Sequence, residues 1–219
     1  CSTMAASSSP HVGLNMQSQP ERWIQGPGQQ QWRHGPIDLQ IQVEGETEVV
    51  EAAIQQAWVE FQGLLEALVQ ELPVLRQAVQ AGASNPLQGP IARAMWQACQ
   101  PLAGHQDDEF ITPMAAVAGA VAQHVLRHFE RTGVQRAAIN NGGDIALHLA
   151  KGAVWRIGVV SDANSVWLGA QLGQAIEPDA ELVIEHDGPV RGIATSGWSG
   201  RSLSRGIADS VTVLAASAA

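Results

Sequence analysis

At 219 residues with 45% hydrophobic content, the chain is long enough for one domain with a sizeable core, with or without an arm. Charged residues make up only 15%, the net charge is −9 and no basic stripe is visible, which argues against a nucleic-acid surface. Lys151 is the only lysine among 12 basic residues, so specific anion contacts would fall to arginine or to backbone amides. Cys1 and Cys99 are too few for a disulfide framework, and Cys99 reads as a buried thiol in an apolar helix. No apolar run reaches the ~18 residues of a membrane span. The start Cys1-Ser2-Thr3 reads as an expression remnant ahead of Met4 or Met16 in a cytoplasmic protein. The alternative is the mature terminus of a periplasmic lipoprotein.

Residues 1–35 are rich in Ser, Gln, Gly and Pro without a sustained period and read as a flexible or loosely docked arm. Trp23, Ile24 and Trp32 would pin that arm to the domain or to a partner. From residue 36 onward a folded domain is expected. Ile37, Leu39, Ile41 and Val43 alternate with polar residues, which predicts a half-buried strand. Thr47, followed by Glu48 and Glu51, starts an amphipathic helix whose apolar positions run from Val50 through Phe61 to Leu72, ending at Pro73. Ile91 to Cys99 forms a short helix. Thr112-Pro113 pairs a capping hydroxyl with proline at a helix start, and that helix runs through Val117 and Phe129 to close at Gly133. One side of it is small, from Ala115 to Ala122 around Gly119, which fits close packing on a sheet or close approach of a ligand. His124 and His128 stand four apart on one face, as solvated residues rather than a metal pair. Strand-like runs follow at 137–139, 145–149, 154–160, 166–172, 181–185, 190–194 and 211–214. Helices early and hairpin-linked strands late give an α+β class, with helices packed on a mostly antiparallel sheet.

Two loops carry the candidate chemistry. In Asn141-Gly142-Gly143-Asp144, paired glycines allow positive φ and expose successive N–H groups, while Asp144 is able to accept from a ring N–H or a ribose hydroxyl. On spacing alone the ordinary reading is a hairpin turn. The stretch from Thr195 to Gly206 holds five hydroxyls, three glycines and two arginines between apolar strands. Thr195, Ser196, Gly197, Ser202 and Ser204, with Arg201 and Arg205, form a donor-rich set suited to phosphate. No G-x-S-x-G elbow is formed around its serines.

The ordered set Pro113-Met114-Ala115-Ala116-Val117-Ala118-Gly119-Ala120, Asn141-Gly142-Gly143-Asp144-Ile145, Ala194-Thr195-Ser196-Gly197 and Ala208-Asp209-Ser210-Val211-Thr212-Val213 resembles an uncharacterised ApbE-like protein family, distantly related to the FAD:protein FMN transferases. The resemblance covers residues 37–219. It implies an α+β fold with a flavin-type nucleotide site between the glycine loop and the Thr-Ser-Gly loop. The transferases carry a lysine in the small-residue helix, where this chain has Ala118-Gly119-Ala120. They also carry a His-x-x-Asp-Pro segment after Thr-Ser-Gly, which is absent after Gly197. Their magnesium-binding Ala-Asp-Ala-x-x-Thr element would fall beyond Ala219.

The resulting expectation is a domain that binds a flavin- or pterin-type nucleotide, with FMN transfer as its candidate reaction and FAD, FMN or a pterin, with magnesium, as candidate cofactors. Asn141 to Asp144 would meet the ring or ribose. The Thr195–Arg205 loop would hold phosphate, and Asp209 would orient that loop or help bind a cation. Asp144, Ser196 and Asp209 are the candidate catalytic groups. One alternative is a hydrolase with a Ser or Thr nucleophile, assisted by His105, Asp107 and Asp108 or by self-processing after Ala219 that leaves a second chain. Another is a non-catalytic subunit or assembly factor docking through its tryptophan-bearing arm. Low charge and seven tryptophans predict a homo-oligomer.

Overall fold

A computed structural model describes residues 19–104, 110–159, 180–196 and 211–219. Strand β3 (Ile37–Gly45) shows the expected alternation, burying Ile37, Leu39, Ile41 and Val43 against the helices. Ahead of it, β1 (Glu21–Gly26) and β2 (Gln29–His34) form an antiparallel hairpin that pairs with β3. The arm expectation is therefore corrected over residues 21–34, while residues 1–18 lie outside the described residues. Trp32 is fully buried, 5.3 Å from Trp58 and 5.4 Å from Phe61 between ring centroids. Its indole N–H donates to Gln30 Oε1 at 2.8 Å, and Arg22 Nε donates to the same oxygen at 2.7 Å. The strand is disguised in sequence because Gln30 and His34 share the buried face with Trp32.

The long helix expected after Thr47 is two helices, α1 (Thr47–Phe61) and α2 (Leu64–Leu75), broken at Gln62–Gly63. Thr47 is the first helical residue, and Glu46 occupies the cap without a side-chain bond. Pro73 lies inside α2 rather than ending it, because proline in a last turn removes only one N–H from a helix that is already closing. Helix α3 (Pro90–Cys99) follows, and Glu71 of α2 accepts the N–H groups of Gln88 and Gly89 at its start. Cys99 is buried as expected, and burial pushes its thiol pKa up. A 3-10 turn over Pro113–Ala116 leads into α4 (Val117–Leu126), and a second over Arg127–Phe129 follows it. The Thr112 hydroxyl makes no capping bond, so that part of the expectation is corrected.

The second half supplies β4 (Val134–Asn141), β5 (Asp144–Leu149), β6 (Val154–Val159), β7 (Ala180–Glu185), β8 (Gly192–Ser196) and β9 (Val211–Ala215). The run expected at 166–172 lies outside the described residues. Among the described residues the strands form a seven-stranded sheet, ordered β1-β2-β3-β4-β5-β8-β9 with every neighbouring pair antiparallel, and a separate β6–β7 hairpin. This is the expected α+β class. One face of the sheet packs on the helices through Leu39, Ile41, Ala137, Ile139 and Ala146. On the opposite face Leu147, Leu149 and Ile193 pack with Trp155 and Ile184 of the hairpin. Among the described residues no helix is long and apolar enough to cross a membrane.

Candidate functional site

Asn141 and Asp144 are cross-strand partners that close the β4–β5 hairpin, with Gly142 (φ 65°) and Gly143 (φ 111°) between them. Positive φ at both central positions is the geometry that matches the twist of the flanking strands, and it accounts for the glycine pair. The turn reading of this motif is therefore correct as local structure. Its flanking side chains do more than reverse the chain. Asn141 is buried and donates from Nδ2 to the Ala118 carbonyl at 3.1 Å. The backbone N–H groups of Gly119 and Thr195 lie near the Asp144 carboxylate and favour its charged form. Gly119 is the third residue of α4, and its N–H belongs to the first turn, which has no acceptor within the helix. Asp144 thus brings from β5 an acceptor to the first turn of α4, whose own cap residue, Ala116, has none in its side chain.

The carboxylate pKa of Asp144 is raised by burial, opposed by the two backbone N–H groups that stabilise the charged form. The result is a half-buried acid at the positive end of a helix, beside the end of β8. Gly143 reinforces this junction: a side-chain carbon there would stand 3.3 Å from the Thr195 carbonyl oxygen.

Thr195 and Ser196 end β8 opposite Thr212 and Val211 of β9, and the Thr195 and Thr212 hydroxyls lie 3.1 Å apart. The hydroxyl-rich segment that follows Ser196 therefore leaves and rejoins the sheet at paired positions next to Asp144. Gly197, Arg201, Ser202, Ser204, Arg205 and Asp209 lie outside the described residues, as do His105, Asp107 and Asp108. Among the expected site residues that are described, Asn141, Gly142, Gly143, Asp144, Thr195 and Ser196 come together at one end of the sheet.

The small side of α4 serves chain packing at Gly119. A side-chain carbon there would be 1.7 Å from the Ala218 carbonyl oxygen, and the Ala218 N–H donates to Gln123 Oε1 at 3.2 Å. At Gly192 an added carbon would be 2.0 Å from the Ser217 carbonyl oxygen. Residues 217 and 218 thus run against both the α4 face and the start of β8.

His124 and His128 are not solvated as expected. Glu60 of α1 bridges them, accepting at 2.5 Å from each Nε2, and His124 is only 8% exposed. Arg127 donates to His124 Nδ1, so the neutral His124 ring carries its proton on Nε2 and gives it to Glu60. The four-residue histidine spacing was visible in sequence, but Glu60 lies 64 residues upstream of His124 and no local spacing reveals it. Among the described residues no group of three or more His, Cys, Asp or Glu side chains is placed to hold a metal ion.

A family model described as AbpE bacteria matches residues 21–219. A UPF0280 protein of Methanothermobacter thermautotrophicus is 39% identical over 109 residues, covering 49% of this chain and 38% of that protein. A UPF0280 protein of Methanosarcina barkeri is 35% identical over 104 residues, covering 47% and 36% respectively. One from Methanosphaerula palustris is 35% identical over 115 residues, covering 52% and 44%. The matched stretch thus spans less than half the length of each of these archaeal relatives.

Proposed function

Since the chain belongs to the family described as AbpE bacteria, we propose that it binds a flavin- or pterin-type nucleotide at the β4–β5 turn and the segment after β8, with FMN transfer as the reaction of that site. The observation that carries the reading is the convergence of Asp144, the first turn of α4 and Thr195, joined through one carboxylate. A helix start and a glycine turn present N–H groups and a positive dipole end to an incoming anion or carbonyl edge. In this reading the turn from Asn141 to Asp144 meets the ring or ribose. The hydroxyls of Thr195, Ser196, Ser202 and Ser204, with Arg201 and Arg205, meet phosphate. Asp209 orients that loop or contributes to a magnesium site. In this reading Asp144 and Ser196 stand nearest the reacting group, with the Asp144 carboxyl, whose pKa burial raises, as the proton-transferring candidate.

The alternative of an assembly factor docking through its arm rests on that arm's tryptophans being free. Trp32 is instead a core residue, which removes much of that motive.

Equilibrium titration of the purified protein with FAD, FMN and a reduced pterin, with and without magnesium, tests the proposal. Saturable binding of at least one of them, lost on competition with another of the set, is the expected result. No binding of any of the three at millimolar concentration would reject it, since that limit corresponds to only about −4 kcal/mol.

A further inference from the structure

Helix α2 turns one face, carrying Leu64, Ala67, Leu68 and Glu71, toward the start of α3, and a groove of about 290 Å³ runs between them. Leu64, Leu68 and Ile91 line it and belong to the helix-side core, so the groove reaches down to core side chains. Glu60 lines it from the last turn of α1, beside the α1–α2 break. Glu71 lies about 10 Å along the α2 axis from Leu64, at ~1.5 Å per residue. Among the described residues that line the groove none is a lysine or an arginine, and the one imidazole, His124, is buried.

Two observations separate this groove from an ordinary seam between helices. Gly63 lines it with φ −98°, and nothing lies within 4 Å of where a side-chain carbon would stand, so neither a left-handed backbone nor a close neighbour calls for glycine there. The absence of a side chain at Gly63 leaves the groove open beside Glu60. The second observation is charge. Each Glu60 oxygen takes one imidazole Nε2, from His124 and from His128, and each Glu71 oxygen takes one backbone N–H, from Gly89 and from Gln88. A carboxylate offers about four acceptor sites, so both groups are fixed in position and retain capacity for a further donor. Glu60 is also half exposed, so a ligand reaches it without unfolding the wall.

We propose that this groove binds a small aliphatic primary amine, with its alkyl chain on Leu64, Leu68 and Ile91 and its ammonium on Glu60. The volume stands near the lower end of small-molecule pockets, roughly 300–1,000 Å³. Apolar walls hold the chain, and the two carboxylates choose the head group: an anion meets repulsion from both, whereas an ammonium brings three donors and the opposite charge. The groove shares no residue with the proposed nucleotide site, and the inference stands independently of it.

Titration of the ¹³C-labelled protein at about pH 8, where an alkylamine is still ionised, tests this. The probes are propylamine and pentylamine, with 1-pentanol and hexanoate as neutral and anionic counterparts. The Ile91 methyl resonances, assigned through Ile91→Val, are the readout. A saturable shift with pentylamine is expected, with affinity ~15-fold above that of propylamine, at about 0.8 kcal/mol for each buried methylene. Glu60→Gln should weaken pentylamine binding ~5-fold, about 1 kcal/mol, and its methyl spectrum away from the groove verifies the fold. Ala67 is exposed, so Ala67→Trp fills the groove without disturbing the core and should abolish the shift. The proposal is overturned if pentylamine gives no saturable shift up to about 50 mM, where a ~1 mM site would be nearly full. It is also overturned if 1-pentanol or hexanoate binds as tightly as pentylamine, or if either variant binds pentylamine as wild type does.

Discussion

Asp144 carries two duties that different substitutions separate. Its carboxylate faces the Gly119 and Thr195 N–H groups, so Asp144→Ala removes their nearby acceptor and should destabilise the fold by about 1 kcal/mol. Asp144→Asn keeps an acceptor oxygen and removes a charge that burial disfavours, so its melting temperature should stay close to wild type. If the site reading holds, nucleotide affinity should nonetheless fall in the Asn variant. Unchanged affinity beside an unchanged melt would reduce Asp144 to a helix cap. The motif around this residue was legible in sequence, because Asn-Gly-Gly-Asp admits few backbone shapes. Its role at the start of α4 was not, since the Gly119 N–H it faces lies 25 residues upstream in a helix that no local spacing links to the turn. Residue chemistry also hid β2: a glutamine and a histidine at inward positions erase the apolar alternation, and only Trp32 marks the buried face.

Helix α1 is fastened to α4 and the turn after it by Glu60, and that link predicts a pH dependence. Burial lowers the His124 pKa below its ordinary 6.5, with Arg127 and His128 acting in the same direction and Glu60 opposing them. A folded-state pKa below the unfolded one means that the unfolded chain binds more protons. The stabilisation is therefore full above pH 6.5 and is lost as pH falls through the folded-state value. Burial would raise the Glu60 pKa, but its bonds to His124 and His128 outweigh this and hold it below the ordinary 4.5, so a second loss follows in acid. Melting temperature should decline between pH 6.5 and 4, and His124→Gln should flatten the upper part of that decline. Glu60→Gln at pH 7.5 should cost no more than about 0.5–1.5 kcal/mol, because the carboxylate is half exposed. A melt independent of pH over this range would remove the clamp from the account. Most element types were readable from period and punctuation. The α1–α2 break was not, because the apolar spacing runs on through Gly63 and only the packing of each segment sets its direction.

At the scale of the whole molecule, the sheet formed by the described residues ends in β9, whose own five residues carry no charge and where Val211, Val213 and Leu214 are all about half exposed. Together with the low charge content this predicts self-association, which sedimentation would reveal as a species heavier than the 23.2 kDa chain; a monomer over a wide concentration range would oppose it. The α+β class was legible because helices precede hairpin-linked strands, whereas the placement of β8 beside β5, with β6 and β7 set apart as a second layer, depends on long-range pairing that no local pattern encodes. The proposed nucleotide site lies at one end of this sheet. Arg201 and Arg205 account for two of the 12 basic residues in a chain of net charge −9, and both fall in the hydroxyl-rich segment fastened at Ser196 and Val211. Charge-assisted bonds to phosphate contribute about 1.5–3 kcal/mol each when shielded from water. The most direct measurement is calorimetric titration of wild type and the Arg201→Gln/Arg205→Gln variant with FAD and FMN at low and high salt. The account predicts an affinity at least ~100-fold lower in the variant, about 2.8 kcal/mol, with a flatter salt dependence. Equal affinity of the two proteins at both salt concentrations would contradict it.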